Sequence, residues 1–247
     1  MSATTIAGRV TDMSPKAKAR WAGGLLLITI IAGGFAQGYI AGSLIVFGDA
    51  ATTATNILAH QQLYRLAFAT YLVEMSCQIA MTVLFYELLK PVSTTASMLA
   101  ATFGLIGCTI KTLSRLFFFA PLLLLGGAHY LSAFEPAQLQ ALAFLSLRVN
   151  YAAETMAMWF FGLNTVVMGY LLYRSTFLPR WLGALTVVGG LGWMLYLYEP
   201  VAARLESYIV GIGVIGAFVT VVWLLVYGLN EQRWYEQSTA ASASIRR

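Results

Sequence analysis

Charged residues are scarce in this chain: Asp, Glu, Lys and Arg make up 10% of its 247 residues, 59% are hydrophobic, and the mean hydropathy is +0.74. A soluble domain carries roughly 25% charge, so the composition excludes an ordinary water-soluble fold and makes a bilayer the expected solvent. Histidine and cysteine are rare too, with two of each. Cys77 and Cys108 fall inside apolar runs and belong to no CxxC or other ligand pattern, so they behave as small hydrophobes and carry no information on redox compartment. There is no HExxH, GxSxG or P-loop, no GxGxxG in strand context, and no closely spaced carboxylate pair, which removes the recognisable protease, hydrolase and nucleotide-binding signatures. His60 and His129 could bind zinc with Asp49 or Glu135, or a haem together. Lone loop histidines without motif spacing are more often solvated side chains, so neither a metal nor a cofactor is expected.

What the chain has in abundance is apolar runs. A spanning helix needs roughly 20 apolar residues, which predicts an all-α fold: a polytopic integral membrane helical bundle of about six transmembrane helices with short interfacial helices. Residues 1–20 read as a basic cytoplasmic tail, 21–229 as the six-helix domain, and 230–247 as a cytoplasmic tail too small and polar to order itself. The expected spans are Trp21 to Ala41, Leu63 to Leu89, Thr95 to Phe119, Asn150 to Tyr173, Trp181 to Tyr198 and Tyr208 to Leu229. Gly34-Phe35-Ala36 could serve as a signal-peptidase site, but the run stays apolar beyond it and reads as a retained anchor. Gly34, Gly38 and Gly42 repeat every four residues, a spacing that either admits a close neighbouring backbone or reflects the ordinary tolerance of membrane helices for glycine. Residues 43–62 read as a short interfacial helix, and the stretch from Leu139 to about Arg148 as an interfacial or re-entrant one.

The net charge of +5 does not point to nucleic acid, because most Lys and Arg flank apolar runs. With both tails and the loops after spans two and four inside, the cytoplasmic face collects Arg9, Lys16, Lys18, Arg20, Lys90, Arg174, Arg180, Arg233, Arg246 and Arg247, while the opposite loops hold little beyond Arg204. This is the positive-inside asymmetry, and it predicts cytoplasmic N- and C-termini. Membrane lipids are the expected partners, nucleic acid is excluded, and oligomerisation is left open. Trp21, Tyr64, Trp181, Tyr196, Tyr198 and Tyr208 flank spans, where interfacial aromatic belts lie.

An ionisable residue inside a span costs at least roughly 2.5–3.5 kcal/mol on insertion scales, so each one needs a partner, a cavity or a route to the interface. Glu74 lies near the middle of span two, with Gln78 one turn along; Lys111 and Arg115 share a face of span three; Asn150 and Glu154 repeat that spacing in span four. With Gln37, Tyr39, Arg65 and Arg148 at similar depth, the polar groups converge on one layer in the extracytoplasmic half. Four cations (Arg65, Lys111, Arg115, Arg148) face two carboxylates (Glu74, Glu154), a surplus of two positive charges that a small anionic or amphiphilic ligand would neutralise. Glu74, Gln78, Lys111, Arg115, Asn150 and Glu154 are therefore the candidate ligand-binding residues of a transporter-like or sensor-like protein. The rival readings are a structural or accessory subunit whose charges are merely paired, and an intramembrane enzyme using Glu74 or Glu154 as a base. The surplus also predicts that losing Lys111 or Arg115 costs less stability than losing Glu74.

The stretch WFFGLNTVVMGYLLYRSTFLPRWLGALTVVGGLGWML from Trp159, above all GYLLYRS-x-FLPR-x-LG at Gly169 to Gly183, resembles the C-terminal signature of the bacterial membrane family DUF4386. AGGFAQGYIAGSLIVFGDAATTATNI and the LLKPV closing span two are similar as well, so the resemblance covers most of residues 20–200. It implies a multi-spanning bacterial inner-membrane protein and supplies no activity or catalytic residue. Near the start of span three the family pattern implies an acidic position where this chain has Phe103-Gly104-Leu105, so no site is carried over. Physically, Pro179 separates two helices at the RS-x-FLPR turn, and Arg174 and Arg180 anchor it at an anionic surface.

Overall fold

The computed structural model describes residues 13–245, so Arg9, Arg246 and Arg247, counted above toward topology, lie outside the described residues. Among those residues the fold is all-α, without strands. Helix α1 runs from Pro15 to Leu44 and includes a π-helical stretch, Gly34–Ala41. It is followed by α2 (Ala50–Ala59), α3 (Gln61–Leu89), α4 (Thr94–Leu124), α5 (Pro136–Arg174), α6 (Arg180–Met194), α7 (Glu199–Val226) and α8 (Glu231–Ile245). Five of these, α1, α3, α4, α5 and α7, are long and apolar enough to cross a membrane. The expected fifth span from Trp181 is α6 plus a 3₁₀ turn at Leu195–Leu197. At 15 residues α6 rises only about 22 Å, short of the roughly 30 Å of hydrocarbon in a bilayer.

Local sequence explains several boundaries. Asp49 caps α2, accepting from the Thr52 amide at 2.9 Å and the Thr52 hydroxyl at 2.6 Å, which satisfies an orphan helix donor and holds the carboxyl below its usual range. Pro179 starts α6, as expected of a residue that cannot continue the preceding helix. The segment from Leu139 is not a separate interfacial or re-entrant piece: α5 is one helix of 39 residues, about 58 Å long. No proline or glycine interrupts it between Gln138 and Phe161.

The chain divides into two compact units. The first comprises the residues up to Leu27, Gln78–Ile106 and Met158 onward. Its apolar core includes Ala19, Ala22, Phe85, Leu88, Leu171 and Leu224. The closest approaches of glycine to a neighbouring helix's backbone in this unit lie between α5 and α6. A Cβ on Gly183 would stand 2.4 Å from the Tyr173 amide nitrogen and 2.6 Å from the Gly169 carbonyl, and one on Gly190 2.8 Å from the Val166 nitrogen. The Gly34, Gly38 and Gly42 stripe, expected to admit a neighbouring backbone, does not: added Cβ atoms at Gly34 and Gly38 meet nothing, and one at Gly42 meets only the Gln37 carbonyl at 3.5 Å. Between apolar helices in lipid there is no hydrophobic gain from contact, so close packing of small residues carries association.

One end of this unit is tied together by α8, which replaces the disordered tail expected over 230–247. The Lys16 amide donates to Glu231 Oε1 at 3.2 Å and the Trp234 indole donates to the Leu88 carbonyl at 2.9 Å. The Asn230 amide donates to the Phe177 carbonyl, and Thr176 donates to Gln237 through amide and hydroxyl. Lys18 lies 3.5 Å from Glu87. The start of α1, the α3–α4 turn, the α5–α6 turn and the start of α8 therefore meet at one end of the unit. A composition rich in Ser and Ala signals no fold of its own; the order comes from Trp234, Gln237 and Glu231 finding fixed partners.

The second unit comprises Ile28–Cys77 and Gly107–Ala157. Its core includes Ile40, Ile57, Tyr64, Tyr71, Phe118 and Leu147. Tyr64, expected in an interfacial belt, is fully buried. Its hydroxyl donates to the Phe118 carbonyl, three residues before Pro121 inside α4, where a proline disturbs the ladder and leaves carbonyls needing donors.

Two outcomes follow from these contacts. Gly183→Ala should destabilise by about 1–3 kcal/mol through overpacking, whereas Gly38→Ala should cost nothing in packing; thermal unfolding of the two purified variants in detergent checks the contrast. Glu231, which accepts from Ser14 and from the Lys16 amide, titrates below its ordinary value of 4.5. Its contribution is therefore complete above about pH 4.5 and lost as pH falls through the depressed value. Protection factors of the α8 amides, which correct for the intrinsic pH dependence of exchange, should fall at acid pH in the wild type, and Glu231→Gln should remove that part of the pH dependence.

Candidate functional site

Five of the six candidate residues lie in the second unit, on three helices. On α3, Tyr64, Tyr71 and Glu74 share a face by their spacing of seven and three; on α4, Lys111, Arg115 and Phe118 do the same; on α5, Asn150 and Glu154 are one turn apart. Glu74, Lys111, Arg115, Asn150 and Glu154 are all buried. Gln78 does not join them. It belongs to the first unit, is half-buried, and contributes its backbone carbonyl to the Thr82 hydroxyl.

Two ion pairs organise the group. Lys111 Nζ donates to Glu74 Oε1 at 2.7 Å. Arg115 donates through one terminal nitrogen to Glu154 Oε1 and through the other to Asn150 Oδ1 at 3.3 Å. Asn150 Nδ2 closes the triangle by donating to Glu154 Oε2 at 3.3 Å. The guanidinium carbon stands 3.6 Å from the centroid of the Tyr71 ring, a cation–π contact that gains strength when desolvated. Tyr71 in turn donates its hydroxyl to Gln37 Oε1 on the π-helical stretch of α1, and its ring meets Phe118 edge-on at 5.2 Å while Tyr64 stacks on Phe118 at 4.4 Å. Two polar atoms of this group keep no hydrogen-bond partner among the described residues, Glu74 Oε2 and Arg115 Nε. Gly33 makes room for the Glu74 carboxylate: a Cβ there would lie 3.1 Å from Oε1.

The surplus of positive charge expected for this layer is absent from the buried group. Arg65 and Arg148 are exposed, and the two buried cations are matched one to one by carboxylates. Sequence spacing identified the charged residues but missed Tyr71 and Gly33; the signal for Tyr71 was its place three residues before Glu74 and seven after Tyr64. Tyr39, placed at the same depth, is exposed. His60 lies 3.1 Å from the Asn56 carbonyl at the end of α2, and among the described residues no three His, Cys, Asp or Glu side chains are grouped to hold a metal.

Beside the Arg115–Glu154 pair lies a cavity of about 70 Å³. Phe118, Leu147, Asn150 and Glu154 form its buried floor, and Gln37, Gly42, Phe47 and Tyr151 its exposed rim. Gln37 and Gly42 belong to or adjoin the π-helical turn; such distortions occur often at functional sites.

Removing one member of a buried pair costs about 3–5 kcal/mol by stranding the other. Because the pairing is balanced, Arg115→Ala should lower the melting temperature at least as much as Glu74→Ala, reversing the order that a cationic surplus predicts. Glu74→Leu combined with Lys111→Leu should recover much of the loss, since an apolar pair of similar volume is often neutral or stabilising. Thermal-shift measurements on the single and double variants decide this.

The sequence pattern described as Domain of unknown function (DUF4386) matches residues 21–228. A protein of Archaeoglobus fulgidus described as uncharacterized is 29% identical over 153 residues, spanning 61% of this chain and 76% of that protein. No solved structure matches the chain. With helices apolar enough for a membrane, an all-α fold and a match covering nearly the whole helical region, the chain belongs to the DUF4386 family.

Proposed function

We propose that this protein is a six-pass membrane protein of the bacterial inner membrane, with both termini cytoplasmic, that binds a small polar or amphiphilic ligand in the cavity floored by Asn150 and Glu154. The observation that carries the binding reading is that cavity: a mainly apolar space whose buried floor includes Asn150 and Glu154, below an exposed rim. Intramembrane ionisable groups point by default to a ligand or ion path. The anionic ligand suggested by charge counting is less favoured, because Lys111 and Arg115 each already hold a carboxylate. The topology reading rests on the basic asymmetry of the loops and on the meeting of both chain ends with the α3–α4 and α5–α6 turns. That meeting is what α6, continued by its 3₁₀ turn, leaving and α7 returning would give, and it supports six crossings over five. A transporter-like or sensor-like role would use the cavity as its recognition site.

The structural reading keeps one specific observation in its favour, the complete pairing of the buried cations. The two readings separate at Gly42, whose backbone is right-handed helical and whose Cβ would meet only ordinary contact. Gly42→Leu should fill the rim without touching either ion pair. Native mass spectrometry of the purified protein should find a ligand retained by the wild type and lost from Gly42→Leu at unchanged melting temperature. A purely structural protein would retain none in either form. For topology, cysteine labelling should place Val92 and the C-terminus inside and His129 outside; a cytoplasmic His129 would overturn the six-pass reading.

A further inference from the structure

We infer that the ligand of this cavity is an ammonium group carried by a small amine or by a lipid headgroup; the inference rests on the cavity-binding reading above. The sign of the ligand follows from what faces the space. Glu154 is the one charged side chain among the residues that line it, and Arg115, 1% exposed, is not among them. Of the ion pair, Glu154 is therefore the partner that lines the space. Each Glu154 oxygen accepts one hydrogen bond, from Arg115 and from Asn150, while a carboxylate has about four acceptor sites. Capacity for further N–H donors remains.

The other polar walls agree with this assignment. Asn150 spends its oxygen on Arg115 and its nitrogen on Glu154, so it offers an anion no free cationic donor. The remaining walls are Gln37, Gly42 and the aliphatic Ala41, Ile45 and Leu147, with aromatic rings at three places: Phe118 in the floor, and Phe47 and Tyr151 at the rim with ring centroids 5.8 Å apart and planes at 66°. A carboxylate flanked by aromatic rings is the environment that attracts ammonium, through charge-assisted hydrogen bonds on one side and ring quadrupoles on the other. An anion would meet the Glu154 charge and the negative ring faces. About 70 Å³ suits a compact head, and the exposed rim lets a chain attached to that head remain outside.

The test uses the full-length protein in amine-free detergent, with ethylammonium and its near-isosteric anion propionate as soluble probes, and nanodiscs of phosphatidylethanolamine or phosphatidylglycerol as lipid probes. Binding is read by calorimetry for the soluble probes and by lipid retention in native mass spectrometry for the others. Ethylammonium should bind and propionate should not, and Glu154→Gln and Gly42→Leu should each weaken ethylammonium by about tenfold or more. Ethylammonium binding without selective phosphatidylethanolamine retention identifies a free amine; selective retention lost in Gly42→Leu identifies the lipid headgroup. If Glu154→Gln fails to fold because Arg115 loses its partner, Gly42→Leu alone carries the comparison. Propionate binding that is sensitive to Gly42→Leu, with no response to either amine source, overturns the ammonium assignment and leaves the cavity reading standing. A wild type that binds none of the four probes overturns both.

Discussion

A guanidinium at 1% exposure, Arg115, sits on a helix whose neighbours are Leu113, Leu116, Phe117 and Phe118, and an arginine cannot shed its proton to escape the cost of burial. Its charge must be met within reach of its own side chain. Glu154 and Asn150 meet it from α5 and the Tyr71 ring from α3, so one side chain ties three helices of its unit. The second-unit core is arranged around that requirement. Phe118 one turn along α4 packs between Tyr64 and Tyr71, and Tyr71 passes the constraint to α1 through Gln37. In lipid, where apolar contact between helices gains little over lipid contact, such a polar hub specifies which faces meet.

The element types and most spans were legible in the sequence because a spanning helix needs a long apolar run, and that signal survives without any tertiary knowledge. The candidate charges were legible for the complementary reason, since each interrupts such a run. What composition cannot supply is pairing. A count of four cations and two carboxylates treats Arg65 and Arg148 as equal to Lys111 and Arg115, although the first two are exposed and the last two buried. Gln78, one helical turn beyond Glu74, falls in the other packing unit, and periodicity along one long helix carries no information about where such a boundary lies.

Glycine shows the same limit. Two sets of glycines were available, the four-residue repeat Gly34-Gly38-Gly42 in α1 and the seven-residue pairs Gly162/Gly169 in α5 and Gly183/Gly190 in α6, and spacing alone favours the first. Of the two, the second is the one that meets the backbone of another helix. In α1 the glycines instead lie in or beside the π-helical turn, where a wider turn displaces side chains relative to an α-helix. The C-terminal helix was hidden for a related reason: few of its residues are apolar, and its order comes from partners distant in sequence, such as Leu88 for Trp234 and Lys16 for Glu231.

These features bear on one another at the cavity. A π turn that packs no neighbour against its glycines leaves Gly42 and Gln37 free to form a rim, and Gln37 is oriented by Tyr71, which is itself fixed under Arg115. The floor is set by Glu154, whose position is dictated by that arginine. The same ion pair therefore stabilises the unit and bears on the cavity, because Glu154 lines the open space and Arg115 does not. The sign of a membrane cavity follows from which partner of a pair lies nearer the void, and residue counts at a given depth do not contain that information.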